Sequence, residues 1–308
     1  SNYLLFYAPG PHQWKYDSAS KRFNFVKNLH SDTAWYFITL NTAGTPKRII
    51  TLSPETRPAT SIVNSYTHRY AHETNRINLL SSGKEWLGES FVANNNTRTF
   101  TVLWNNTINS TPIQLYTHLT SRSLGANANF TVSVNDQAIQ NINLNGVTGG
   151  LLDEYARDAK TLSPIGLNTI GNFNSLSVKF QYSSFANGAE GWLNRFSVQG
   201  QRQLIPDNNT SGFYFRNTML IHPDSIAEYR INAPLNNGTP TVFSADTRVW
   251  NISNPLNPQQ VIITNAGNEI TFKSTVEILK EYALFNPSQA LTPIIPSNPN
   301  IPNQSLHG

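Results

Sequence analysis

The chain has 308 residues, of which 13% are charged, with 22 Lys and Arg against 18 Asp and Glu for a net charge of +4 and no Cys. The missing Cys excludes a disulfide framework, thiolate metal sites and a cysteine nucleophile within these residues. Its basic residues form no run of the kind a nucleic-acid footprint needs, no stretch of about 18 apolar residues offers a membrane span, and the length suits two or three domains.

Strand signals dominate from the first residues onward. Aromatic and β-branched runs bounded by Gly, Pro, Asn and Asp fall at 3–7, 34–40, 100–104, 113–119, 129–134, 176–182, 193–198, 213–219, 228–231, 241–243, 261–264 and 269–273. Many short strands separated by turns predict an all-β chain of two β-sandwich or jelly-roll-like domains. Two short helices are expected, at 149–159 and at 274–285, where Val276, Leu279 and Ala283 share a helical face. Residues 89–204 read as a jelly roll of the galactose-binding-like kind. Residues 1–88 and 205–285 are expected to form one discontinuous β-domain around it. Prolines 287, 293, 296, 299 and 302 make 286–308 an extended linker, expected to lead to a further domain, with Leu291, Ile294, Ile295 and Ile301 resting in shallow grooves. No signal peptide precedes Ser1, so the chain is expected to be trimmed at both ends.

Each polar cluster has a plain structural reading. Asp153, Glu154 and Asp158 beside Arg157 and Lys160 read as helix-surface ion pairs, because glycoside hydrolysis needs two acids about 5–10 Å apart across a groove. Glu85 and Glu89, four apart on a hairpin, read as partners of Lys84 or a neighbouring Arg. His68 and His72 have the spacing of a helical metal pair, yet lack a third ligand and a helical period, and read as surface histidines in a connecting loop. The run from Asp207 to Gly212 offers oxygen ligands but not the bidentate Glu of a calcium loop, and reads as a turn. No catalytic residue, metal site or cofactor is therefore expected. Trp35 and Trp104 read as core. Trp86 and Trp192, in turn-flanked settings near Gly, form the candidate exposed pair for stacking on a sugar, which gives an alternative function as a carbohydrate-binding jelly-roll module.

Four stretches carry a more specific signal. Leu5-Phe6-Tyr7-Ala8-Pro9-Gly10-Pro11 is followed by Trp14, Tyr16 and Asp17, then by the run from Asn28 through His30, Asp32 and Trp35 to Thr39. His72-Glu73 and Asn75 precede Ser82-Gly83-Lys84-Glu85-Trp86-Leu87-Gly88-Glu89, and Val249-Trp250-Asn251-Ile252-Ser253-Asn254-Pro255 lies further on. Asn303-Gln304-Ser305-Leu306-His307-Gly308 closes the chain. In this order they resemble the region before the peptidase domain in PorU-type sortases of the type IX secretion system, gingipain-like cysteine peptidases of Bacteroidetes. Lys84 stands where that family has Arg, Leu87 where it has an aromatic residue, and Asn251 where it has Asp. The resemblance implies an exported protein at the cell surface and outer membrane, whose Cys–His peptidase removes C-terminal signal domains from secreted cargo. It implies for this chain a non-catalytic role: positioning its own C-terminal peptidase domain and engaging an outer-membrane barrel partner or the cargo.

Overall fold

The computed structural model describes residues 4–37, 47–81, 83, 85–108, 110–166, 174–207 and 212–297. Along Ser175–Ser184, Leu176, Val178, Phe180 and Tyr182 are buried while the residues between them are not, the two-residue period of a strand with one covered face. Strands of this kind assemble a central sandwich. One antiparallel sheet orders Gln137–Leu144, Ala128–Val134, Ser175–Ser184 and Thr97–Leu103. The other orders Arg157–Ile165, Ile113–Arg122, Glu190–Gln203 and Ser65–Glu73, with Ser90–Phe91 also on Glu190–Gln203. Between them lies a core that includes Trp104, Phe130, Phe180, Phe196 and Leu119. Its packing leaves no room at Gly191, where a Cβ would stand 2.6 Å from the Phe130 ring and 2.7 Å from that of Tyr182.

A second sandwich shares no strand with the first. Phe213–Arg216, Glu281–Phe285, Arg248–Asn251, Gln259–Val261 and Ile50–Thr51 form one sheet, and Thr264–Asn265, Glu269–Thr275, Ile226–Asn232 and Ser61–Val63 the other. Ile50–Thr51 and Ser61–Val63 join by parallel pairing to Gln259–Val261 and Ile226–Asn232, so strands before residue 90 pair with strands after residue 205. Ser65–Glu73 crosses instead to the central sandwich, where it pairs with Glu190–Gln203 from Arg195↔Glu73 to Gln203↔Ser65. The all-β class expected from the sequence is the class observed.

A hairpin of Gln13–Asp17 and Arg22–Val26 lies on the outer face of the Glu190–Gln203 sheet. Its Phe23 N–H donates to Gln199 Oε1 at 3.0 Å, and Arg195 and Lys27 donate to the Phe25 and Glu73 carbonyls at 3.3 and 3.2 Å. The Arg69 guanidinium lies 4.1 Å from the centre of the Phe23 ring and 5.2 Å from that of Trp14, an arrangement that draws the cation onto two π-faces.

Where Ser65–Glu73 leaves the second sandwich, the His68 ring stands edge-on to Trp104 at 4.9 Å and near the Tyr66 hydroxyl. Burial, and then Arg202, Arg216 and Arg69, push its pKa from 6.5 down to about 3. A depressed folded pKa contributes stability above the unfolded value and loses it as pH falls toward the folded one. Stability is therefore expected to drop by about 1.4 kcal/mol per pH unit below about pH 6.5 through this group alone. Urea melts of His68→Gln against the native chain at about pH 7 and pH 4.5 check this, and equal acid losses in the two would refute it.

Several expectations are corrected. Residues 149–159 form no helix: Gly149 takes φ 75°, a turn follows, and Arg157–Ile165 is a strand along Ile113–Arg122. Residues 274–285 divide between the end of Glu269–Thr275 and the strand Glu281–Phe285, in which Tyr282, Ala283 and Leu284 are all buried. Burial on both faces erases the two-residue period and imitates a helical stripe. The only helix among the described residues is a 3₁₀ turn, Pro287–Gln289. Trp35 is 66% exposed rather than core, and 4–7 and 34–37 are not strands. Leu291, Ile294 and Ile295 project into solvent and rest in no groove, while Ile301 and the closing Asn303–Gly308 motif lie outside the described residues.

Candidate functional site

Beside the N-terminal hairpin, the outer face of the central sandwich opens into a cleft of ≈270 Å³. Alternation along Ile113–Arg122 sends Leu115 and Leu119 into the core and places His118 and Thr120 on the opposite face. His118 pairs across the sheet with Lys160 on one side and Arg195 on the other. A bulge supplies a further group. Pairing between Ile113–Arg122 and Glu190–Gln203 skips from Leu193 to Arg195, so Asn194 and Arg195, consecutive in sequence, both line the cleft.

The described residues between Thr74 and Glu89 form a strap at the cleft, which Asn75, Glu85 and Trp86 help to line. Arg76 and Leu87 lock its two arms, with Arg76 N–H to Leu87 O at 2.8 Å and Leu87 N–H to Ile77 O at 2.7 Å, and Leu87 is buried. Gly88 N–H then donates to Leu193 O at 2.8 Å, an approach so close that a Cβ there would lie 2.8 Å from that oxygen. Only glycine fits. Glu89 is buried beyond it, held by His72 Nε2 at 3.1 Å, the Thr74 hydroxyl at 3.1 Å and Arg76 at 3.3 Å. Burial raises its carboxyl, but the His72 ring, a backbone N–H and the Thr74 hydroxyl outweigh that and leave it below the usual carboxylate range. With Leu87, Gly88 and Glu89 so anchored, Glu85 and Trp86 are delivered to the cleft mouth.

Three titratable side chains converge there. Among the described residues, Glu85, His118 and Asp158 bring their ligand atoms within 4.8 Å of one another. His118 Nε2 is 3.4 Å from Asp158 Oδ2 and 3.7 Å from Glu85 Oε1, and this buried nitrogen makes no hydrogen bond. Thr120 Oγ1 donates to Asp158 Oδ1 at 2.6 Å, and Asn194 Nδ2 to Glu85 Oε1 at 3.0 Å. The nearby His118 ring, and beyond it the Thr120 hydroxyl, hold the Asp158 carboxyl below its usual range despite burial. Glu73, also in the cleft, is raised by burial.

The residues singled out from sequence land unevenly. Trp86 lines the cleft at 43% exposure. Trp192 is corrected: it is 3% exposed, so the two do not form an open platform for a sugar. His68 and His72 belong to the strand Ser65–Glu73 rather than a loop, and His72 packs on Phe100 and Phe196 while holding Glu89. Arg157 does pair with Asp153 at 2.7 Å and Glu154 at 2.6 Å, within a turn rather than a helix. Asp207 receives Arg202 at 2.7 Å, and Asn208 to Ser211 lie outside the described residues, as does Lys84. His118 has no sequence motif around it; the signal that could have found it is the alternation Gln114, Tyr116, His118, Thr120, Arg122 opposite the core face.

No family model and no curated protein matches the sequence. Among solved structures, the dimeric latent PorU from Porphyromonas gingivalis superposes with a TM-score of 0.70 over 92% of this chain, at 20% sequence identity. This chain has the fold of that part of PorU. It spans 26% of the length of that structure. A carbohydrate-binding module complexed with calcium and xylotriose (9% identity, 42% of this chain and 98% of the module) and infectious bursal disease virus Gt strain (14%, 80% of this chain and 47% of the viral chain) reach TM-scores of only 0.27 and 0.25, too low to indicate a shared overall fold.

Proposed function

We propose that this chain is the non-catalytic β-region of a cell-surface type IX secretion sortase, which holds a peptidase domain of the same protein in place and engages an outer-membrane partner or the cargo. The observation that carries the reading is the extent of the PorU likeness, 92% of the chain at a TM-score of 0.70. The strap motif from Glu85 to Glu89 adds physical content, since each of its residues has a defined task at the cleft. With it goes a division of the chain into a jelly roll at 89–204, a β-domain from 1–88 and 205–285, and a linker at 286–308, with Ser65–Glu73 and the 13–26 hairpin crossing from the first part of that β-domain onto the jelly roll. No helix among the described residues is long and apolar enough to cross a membrane. The sugar-binding alternative loses its platform with the burial of Trp192.

The chain by itself is expected to cleave no cargo signal domain, because it has no thiolate to act as nucleophile. Incubating purified chain with a cargo protein, with and without a thiol reagent, checks this; thiol-sensitive cleavage would sink the reading. The positioning role predicts that the parent protein without residues 1–297 still cuts a short peptide but no longer processes folded cargo. Unchanged processing of cargo would overturn it.

A further inference from the structure

We propose that Glu85, His118 and Asp158 form a divalent metal site of the zinc class, which ties the strap to the sheet and keeps one coordination position open to the cleft. The proposal is independent of the chain's parentage. A tetrahedral zinc ion, with bonds of about 2.0–2.2 Å to nitrogen and oxygen, needs ligand atoms about 3.3–3.6 Å apart. His118 Nε2 meets Asp158 Oδ2 at 3.4 Å and Glu85 Oε1 at 3.7 Å, close to that spacing, and the ligand atoms of all three residues lie within 4.8 Å of one another. The His118 side chain is 4% exposed, and a buried imidazole nitrogen without a hydrogen bond costs free energy that a metal bond would relieve.

The supporting groups are placed as metal ligands need them. Thr120 occupies Asp158 Oδ1 and leaves Oδ2 toward His118, and Asn194 fixes Glu85 Oε1. Such outer contacts orient ligands and tune their affinity. The local charge also permits a cation: Glu73, Glu85 and Asp158 gather beside Lys160, Arg195 and Lys27, and Lys27 is spent on the Glu73 carbonyl at 3.2 Å. Arg195 is already committed to Glu73 at 3.7 Å and to the Phe25 carbonyl. One imidazole and two carboxylates suit zinc better than calcium, which takes six to eight oxygen ligands.

The test is titration calorimetry of the whole chain with Zn²⁺ and, separately, Ca²⁺. One Zn²⁺ per chain is expected to bind saturably, with affinity at least tenfold weaker in Glu85→Gln and in Asp158→Asn. Both carboxylates are substantially exposed, so these variants keep the fold, which circular dichroism melts would verify. Asp32→Asn, at the separate His12–Asp32 pair, serves as the control and is expected to bind like the native chain. Tetrahedral Co²⁺ absorption, present in the native chain and lost in Glu85→Gln, gives a second readout. Absence of 1:1 zinc binding, native affinity in either carboxylate variant, or equal binding of Ca²⁺ would each overturn the assignment.

Discussion

Glu281→Gln is expected to destabilise the chain by about 3–5 kcal/mol, the usual cost of leaving buried charges without their counter-ion. Glu281 lies in the second sandwich and takes both guanidinium nitrogens of Arg69, at 3.1 and 3.0 Å, from the central one. Arg216, almost fully buried, reaches the same carboxylate at 3.2 Å. Gln keeps the volume and removes only the charge, so two cations in poorly hydrated surroundings are left facing a neutral amide. Burial pushes the Glu281 carboxyl up, yet Arg216 and Arg69 outweigh it and hold it below the ordinary range. The contribution is thus complete above the unfolded carboxylate value and is lost as pH falls through the folded one. Urea unfolding followed by circular dichroism measures the effect, with exposed Glu277→Gln as a control expected within about 0.5 kcal/mol. Equal effects of the two substitutions would show that the ion cluster does not join the sandwiches.

What the sequence made legible was what short-range periodicity encodes. Alternating apolar residues in 129–134 and 176–182 announced core strands, and the absence of any sustained helical period announced an all-β chain. The two misread helices mark the limit of that signal. In 281–285 both faces are covered, so Tyr282, Ala283 and Leu284 form a continuous apolar run that fits either period. The cleft was half visible. Glu85, Trp86 and Gly88 stood out as a motif, but their partners His118, Asp158 and Asn194 are brought to them by pairing across long sequence separations and by one bulge. Nothing local marks such a bulge. Trp192 failed for a related reason, since neighbouring Gly and turn residues say nothing about what covers a side chain once the sheet is assembled.

Arg202→Ala is expected to cost about 3–5 kcal/mol, on a par with breaking a buried ion pair. The side chain is completely buried where Glu190–Gln203 runs from the central sandwich toward Leu204 in the core of the second. Its Nε donates to the Asn105 carbonyl at 2.7 Å, its Nη2 donates to Asp207 Oδ1 at 2.7 Å and to Asn105 Oδ1, and its guanidinium lies 5.7 Å from the Tyr66 ring centre. A planar fork serves these acceptors together, whereas a lysine ammonium is a point donor, so Arg202→Lys is expected to lose most of the same stability. Arg202→Met keeps much of the volume and separates packing from charge; it is expected to fall between native and Ala. A second readout follows from His68, whose depressed pKa owes its largest charge contribution to Arg202. In Arg202→Met the His68 ring, followed by NMR, is expected to titrate at higher pH than in the native chain. Unchanged His68 titration together with a stability loss under about 0.5 kcal/mol would show that this arginine neither secures the junction nor sets the charge state around it.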